Sequence, residues 1–505
     1  MSVLSLIYTP TSVIVVAIGV LAIIIFAKWV QITRHPLYRY PGPWTARFSN
    51  FAHCRRFLGG RQPFEILALH EKYGPIVRTA PNDLSFSTSQ AWRDIYGARK
   101  GHLPFIKSEF YDGGNFAADS LSIVSERDPT KHAHMRKYLS NAFSDRSLKE
   151  QEYLVAEVVD EMIVKLGELA DGKNGVVSGN SATNMVMWYN LVTFDIIGSL
   201  AFGESFGGVA SGEEHPWIST VIKSLRKGAL GDCMKRFPAV AKLVMTLLSK
   251  QIDQMLIETR KHEVNSRELV EKRIARQTTR RDFMSNILQA RKEFDISDTQ
   301  IAAHTSDFVI AGSETTATAL ACATYFLLRD PSKLAKLRAE IDSAFRDYQD
   351  INALSTGRLE YLTAVCKEAM RMYPPLPFAL PRIVPKGGDT VDGQFLPAGT
   401  VVSSAPLASS LSSANFHDPW SFKPERWIEK TDDDLEASQP FSLGARGCMG
   451  RNMGWMEMRT IMTKVFWSFD MELVDDDLDW HRDSEMHTLW RKPELNVKVS
   501  RRRVR

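Results

Sequence analysis

From Ser297 to Pro331 the chain runs without a proline. Ser297 offers an N-cap oxygen with Gln300 completing a capping box, so the stretch predicts one helix of about 32 residues, about 48 Å long at 1.5 Å per residue. A helix of that length crosses an entire domain, and the rest of the chain must pack around it. Elsewhere helical patterns dominate, and no repeat period is visible. Two stretches read as strand: Ile76 to Arg78 with Leu84 to Phe86 around an Ala80-Pro81-Asn82-Asp83 turn, and Gly393 to Val402. Neither is extensive enough for a doubly wound sheet, so the expected class is mainly α with small β-sheets. The Ser-rich stretch 403–413, the acidic runs Asp432 to Asp434 and Asp475 to Asp477, and the basic stretch Arg260 to Arg281 read as solvated loops and faces.

The first 27 residues are uncharged after the N-terminus, and every residue from Val13 to Ala27 is apolar or glycine. Lys28 can snorkel and Trp29 suits an interface, so residues 11–32 predict a single-pass anchor. A cleaved signal fits less well, because no Lys or Arg precedes the apolar run. Basic residues follow the run only on its C-terminal side, which leaves the body in the cytosol. The prolines of His35 to Trp44 forbid a continuing helix and predict an extended connector. The expected organisation is an anchor over 1–33, a proline-rich hinge over 34–44 and one domain over 45–505. A net charge of +4 is too mild for nucleic-acid binding. Five scattered cysteines with no C-x-x-C pair read as reduced thiols.

Chemistry concentrates in four places. Within the long helix lies Ala311-Gly312-Ser313-Glu314-Thr315-Thr316, a poor helix-forming cluster. Gly312 could serve close helix packing, or Ala311 and Gly312 could clear room for a flat ligand while Thr315 bonds back to the Ala311 carbonyl. Glu368 and Arg371 share a helix face, and Pro424-Glu425-Arg426-Trp427 supplies a second guanidinium for a buried Arg-Glu-Arg network. The fourth is Phe441-Ser442-Leu443-Gly444-Ala445-Arg446-Gly447-Cys448-Met449-Gly450-Arg451, a glycine-rich loop that places Cys448 just before an amphipathic helix. Backbone N–H groups and a neighbouring cation there favour thiolate, suited to a nucleophile, a zinc ligand or an axial ligand of haem iron. No second cysteine or nearby histidine supports the first two, although a histidine could arrive in space.

The pattern Phe441-x-x-Gly444-x-Arg446-x-Cys448-x-Gly450 resembles the cysteine signature of the haem-thiolate cytochrome P450 monooxygenases, and the other three motifs precede it in that family's order. The resemblance implies the cytochrome P450 fold, with the long helix over haem b and Cys448 as axial iron ligand. It implies Phe441 shielding the sulfur and Gly444 shaping the loop. Arg446, His132, Arg136 and Arg382 would contact the haem propionates; many members carry Trp where this chain has His132. Thr315 and Glu314 would manage proton delivery, and Glu368, Arg371 and Arg426 would form a structural triad. Pocket walls would lie at Phe105 to Phe116, Phe308, Ala311, Phe378 to Leu380 and Met486 to Thr488, with His487 among them.

The implied reaction inserts one oxygen atom from O2 into a lipophilic small molecule, by hydroxylation, epoxidation, desaturation or oxidative coupling. The stretch from His132 to Ser144 looks most like fungal members that tailor secondary metabolites. No flavin or dinucleotide fingerprint is visible, so electrons are expected from NADPH through a separate diflavin reductase, with cytochrome b5 as a further candidate donor, at the endoplasmic reticulum membrane. Lys131, Lys137, Arg446 and Arg451 would form its docking face. The alternatives are a haem-thiolate isomerase or dehydratase that needs no reductase, and a non-catalytic haem carrier.

Overall fold

A computed structural model of the chain describes residues 10–113, 120–172, 182–215, 217, 228–276 and 280–502. Helix α1 (Pro10–Thr33) exposes Val13, Val16, Val20, Ile23 and Phe26. Among the described residues, no helix is long and apolar enough to cross a membrane. The expected span over 11–32 therefore rests on sequence. The proline-rich segment that follows is a series of turns instead of an extended connector. Tyr38 N–H donates to the His35 carbonyl at 2.8 Å, and Arg78 N–H to the Pro41 carbonyl at 2.7 Å. Its prolines are compatible with turn positions, and burying Leu37 and Tyr40 against the adjacent sheet stabilises the compact path.

After α2 (Phe51–Leu58) come strands β1 (Ile76–Ala80), β2 (Asp83–Phe86) and β3 (Ile106–Lys107), joined much later by β4 (Arg382–Ile383) and β5 (Val401–Ser404). They form one sheet in the order β1-β2-β5-β4-β3. The β1/β2 pair is the expected hairpin, while β5 runs parallel to β2. The sheet carries its own small core of Leu84, Phe86, Trp92 and Val402.

The main body is helical: α3 (Pro129–Leu139), α4 (Asp145–Ala170), α5 (Met185–Ala201), α6 (Asp298–Arg329), α7 (Glu360–Met372) and α8 (Arg451–Ser468). The proline-free stretch is α6, 32 residues long, with Ser297 Oγ accepting from Gln300 N–H at 3.1 Å. It is buried over nearly its whole length between α5 on one side and α7 and α8 on another. A Cβ on Gly312 would lie 3.1 Å from Ile197 Cδ1, so this glycine serves close packing of α6 on α5. Tyr189 and Thr324 hydroxyls bond at 2.8 Å across the same interface.

The solvated reading fails for the Ser-rich stretch; it holds for Asp475 to Asp477 and for most of the described basic residues of 260–281, with Asp433 and Arg273 as inward exceptions. Ser404, Ser409 and Ser410 are buried around a short helix, Pro406–Ser410, and Ser409 Oγ accepts from Trp92 Nε1 at 3.3 Å. Asp433 is drawn in by Arg426, and Arg273 by Asp282 at 2.9 Å. Ser409, Asp433 and Arg273 each meet a specific partner, which composition alone does not register.

Candidate active site

The Cys448 loop is built by two left-handed residues, Ser442 at φ 56° and Gly444 at φ 69°. Gly444 is required twice over: its φ favours glycine, and a Cβ would sit 2.2 Å from the Tyr96 carbonyl oxygen. The turn closes through Gly447 N–H to the Gly444 carbonyl at 3.0 Å and Cys448 N–H to the Phe441 carbonyl at 2.8 Å. Helix α8 begins three residues later with Gly450 as its N-cap. Cys448 is exposed, unlike the four other cysteines. Protein packed behind its sulfur raises the thiol pKa, opposed by the Gly450 N–H and by the charges of Arg136 and Arg451. The Phe441 ring packs on Trp455, 5.8 Å between centroids, and under the Arg451 guanidinium.

Around this loop stands a group of cations whose close partners are mostly neutral. Arg446 donates to the Glu126 and Arg127 carbonyls, both at 2.7 Å, and Arg136 to the Gly447 carbonyl at 2.9 Å. Arg382 reaches the Tyr111 hydroxyl at 3.2 Å. Lys107, a residue that sequence reading missed, is buried on β3 and donates to the Ile123 and Val124 carbonyls at 3.0 and 2.6 Å. Burial, Arg446 and Arg382 push Lys107 down to about 6; burial and Arg382 push Arg446 down to about 10. His132 is pushed down to about 3 by burial, then by Arg446, Lys107, Arg136 and Arg382. Mutual depression of this kind marks a site short of negative charge. Two carboxylates at the edge of a flat apolar group would supply it, so the donor set fits a haem whose propionates lie against Arg446, Arg382, Arg136 and Lys107, with a neutral His132 beside them.

The α6 face contributes Ala311, which is exposed between buried Ile310 and Ser313, and Thr315, whose Oγ1 donates to the Ala311 carbonyl at 2.6 Å. Helix α8 approaches this cluster: a Cβ on Gly454 would lie 3.9 Å from Thr316 Oγ1 and 3.8 Å from the Phe441 ring. Glu314 accepts from Lys492 Nζ at 2.8 Å in a buried ion pair that also reaches Thr318 at 3.1 Å. One turn before Ala311, burial raises Asp307 to about 7, and its carboxylate accepts from Val124 N–H at 3.3 Å. His304 accepts from Ile123 N–H at 3.1 Å.

A thiol at a helix start, a cationic rim and a small-residue gap in a long helix are joined by one further finding: the family model described as Cytochrome P450 matches residues 41–499. The chain belongs to the cytochrome P450 family. It is 54% identical over 448 residues, 88% of this chain and 92% of the relative, to cytochrome P450 monooxygenase ORF11 of Penicillium roqueforti. It is 42% identical over 475 residues to the monooxygenase BipB of Cochliobolus sativus, covering 92% of each chain. Over 492 residues it is 37% identical to astJ of Aspergillus oryzae, covering 95% of this chain and 96% of the relative. As a cytochrome P450 it is a haem-thiolate monooxygenase, an oxidoreductase.

In this cytochrome P450 the Glu368 carboxylate accepts from Arg371 Nε and Nη2, both at 2.8 Å, from Arg426 Nε at 3.0 Å and from Trp427 Nε1 at 2.9 Å. Arg371 also holds the Ser410 and Pro419 carbonyls, and Arg426 pairs with Asp433. Asp433 closes the charge balance at two arginines and two carboxylates. The expected pocket walls each have close partners of their own. Phe308 packs on Phe143 at 5.3 Å, Phe378 stacks between Phe110 and Phe57 at 4.4 and 5.2 Å, and the Leu380 carbonyl accepts from Tyr96 OH at 2.8 Å. His487 lies beside Gly60 and Glu485 in a hairpin. Residues 114–119, which include Phe116, lie outside the described residues. Glu457 also escaped notice: burial raises it to about 8 and Thr316 bonds it. An ionisable residue on the inward stripe of an amphipathic helix is the signal that could have found it.

Proposed function

We propose that this cytochrome P450 inserts one atom of O2 into a lipophilic small molecule of fungal secondary metabolism, held to the endoplasmic reticulum membrane by α1 with its body in the cytosol. The electrons come from NADPH through a separate diflavin reductase, with cytochrome b5 as a second donor. The observation that carries the reading is the accessible Cys448 thiol, held at the start of α8 beneath a rim of under-compensated cations. Haem, when bound, supplies the activation of O2, and a thiolate ligand favours O–O cleavage.

The chain's own residues do the rest. Arg446, Arg382, Arg136 and Lys107 bind and orient the carboxylates, while burial keeps His132 a neutral donor. Thr315 offers a hydroxyl beside Ala311, already engaged with the helix carbonyl, from which a proton is passed on. Glu314 is held by Lys492 in a buried ion pair, which has to open before its carboxylate can take part in proton transfer. The relatives' printed names, all monooxygenases, support this over an isomerase or dehydratase.

Replacing the ligand is the direct test. Cys448→Ala in the full chain is expected to abolish the reduced carbon-monoxide band of a thiolate-ligated haem. A band unchanged from the parent would sink the assignment. Product formation that continues without NADPH and reductase would favour the isomerase reading.

A further inference from the structure

The end of the helical segment 228–236 is tied to partners on two sides of a cleft. On one side Lys235 Nζ donates to the Glu109 carbonyl at 3.0 Å. On the other, Arg236 Nη1 donates to Asp83 at 2.9 Å and to Asn50 at 3.2 Å, while its Nε donates to Asp232, one turn earlier, at 2.9 Å. Asp83 opens β2 and Asn50 is the N-cap of α2, so one guanidinium joins three elements far apart in sequence. The side chains of Arg236, Asp83 and Asp232 are 19%, 13% and 8% exposed, sheltered enough for salt to screen them little.

Arg236, Asp83, Asp232 and His53 line the cleft together with apolar residues, among them Ile66, Phe110, Phe378 and Leu407. Leu407 and Phe378 are buried while Arg236 is only half-buried, so the apolar end is the inner one. Phe110 and Pro381, both on its wall, directly precede Tyr111 and Arg382, whose bond at 3.2 Å belongs to the cationic rim around the Cys448 loop. A single step along either of two segments therefore leads from the cleft to the cofactor site. Outside the charged end, Phe51 adjoins Asn50, and Val240, Leu243 and Leu247 sit on the helix Pro238–Leu247 that follows Arg236; all four are exposed. A lipophilic molecule would meet apolar surface, an ion-paired entrance, apolar walls and then the haem rim. Charges gain nothing from contact with such a molecule, whereas across its entrance they hold two sides together.

We propose that this cleft is the route by which the lipophilic substrate enters, and that Arg236 is its latch, closing the route by holding Asp83 and Asn50 and opening it by releasing them. The proposal rests on the reading of the Cys448 loop as a haem site. Release leaves Arg236 paired with Asp232 on its own helix, so the guanidinium is not stranded when the latch opens. Closed and open forms exchange, and the strength of the tie to Asp83 and Asn50 sets the open fraction. A latch of this kind slows entry and exit alike and leaves affinity unaltered, because it favours neither the free nor the occupied protein.

The test uses the full-length, haem-loaded protein and the bulky azole clotrimazole, whose coordination to haem shifts the spectrum, with imidazole as the small control. Arg236→Met is expected to speed association and dissociation of clotrimazole together severalfold, with their ratio kept and the imidazole rates unchanged. Asp83→Asn should do the same, and the two combined should add nothing to either alone. Ser403→Trp, with Ile66→Trp as the alternative filler of the cleft wall, should slow clotrimazole and spare imidazole. Trypsin reads the latch without haem: Asp83→Asn should be cut after Lys235 and Arg236 severalfold faster than the parent. Parental clotrimazole rates, or parental cleavage, in Asp83→Asn would overturn the latch even where Arg236→Met fails to fold. Parental clotrimazole association in the filled-cleft variants would overturn the route. A parent protein without the reduced carbon-monoxide band would instead sink the haem reading, with tryptic cleavage still deciding the latch.

Discussion

Thr315 spends its hydroxyl proton on the Ala311 carbonyl at 2.6 Å, a bond that slightly loosens the helix at the point where its face is exposed. That bond was legible in the sequence, because a threonine four residues beyond an alanine in a helix has few other acceptors within reach. Lys107 was not legible: a lone lysine in a two-residue strand reads as solvated until the Ile123 and Val124 carbonyls are known to meet it. Thr315→Ala removes a hydroxyl that bonds only its own helix's carbonyl, so the fold should survive. With a substrate found by its spin-state shift, the variant should convert less of its NADPH consumption into product and more into hydrogen peroxide, by about 10-fold or more if Thr315 supplies general-acid assistance. The measurement is the stoichiometry of NADPH, peroxide and product. A ratio equal to the parent's would remove Thr315 from proton delivery.

At the scale of elements, α6 was readable because cap and proline bound it at both ends, and its 32 residues match the spacing from Ser297 to Pro331. Helix α7 was readable at its C-terminal end alone, from the Tyr373-Pro374-Pro375 stop; a reading of Tyr361 to Met372 falls one residue short of its observed start at Glu360, which no side-chain cap marks. What joins α7 to the rest was only half readable. Glu368, Arg371 and Arg426 were candidates for one network, but Asp433 stood in an acidic run taken for solvent, and the carbonyls of Ser410 and Pro419 leave no mark on composition. With all members nearly fully buried, this network behaves as an interior ion cluster whose value lies in completeness. Glu368→Gln preserves shape and removes one charge, leaving two guanidinium groups against Asp433 alone. The expected loss is about 3 to 5 kcal/mol of stability, the range for breaking one partner out of a buried pair. Denaturant unfolding of the haem-loaded protein checks it. A loss below about 1 kcal/mol would mean the cluster acts like an exposed pair.

A chain of 505 residues has the length of about three typical domains, yet one contiguous core runs from Cys54 to Val499 and holds the long helix at its centre. Spatial convergence that brings residues hundreds apart to one loop is what a single sequence conceals best, as when Arg136 meets the Gly447 carbonyl. The same convergence decides which charges can meet a redox partner. Of the four cations expected on a docking face, Arg446 is turned inward to the Glu126 and Arg127 carbonyls and is withdrawn from it. Lys131 and Lys137 are exposed on α3, whose Arg136 touches Gly447 beside Cys448, and exposed Arg451 opens α8. The positive face left on the Cys448 side is therefore built largely on α3. An acidic reductase surface attracted to it should bind more weakly as salt rises, because exposed charges are screened over about 10 Å at 0.1 M ionic strength. Lys131→Glu with Lys137→Glu should lower the rate of reductase-supported haem reduction at low salt and flatten its salt dependence. Ligand-induced spin shifts should be unchanged, since neither lysine lies among the cations grouped around the Cys448 loop. Stopped-flow reduction across an ionic-strength series reads both quantities, and a double variant with the parent's salt slope would place the docking face elsewhere on the molecule.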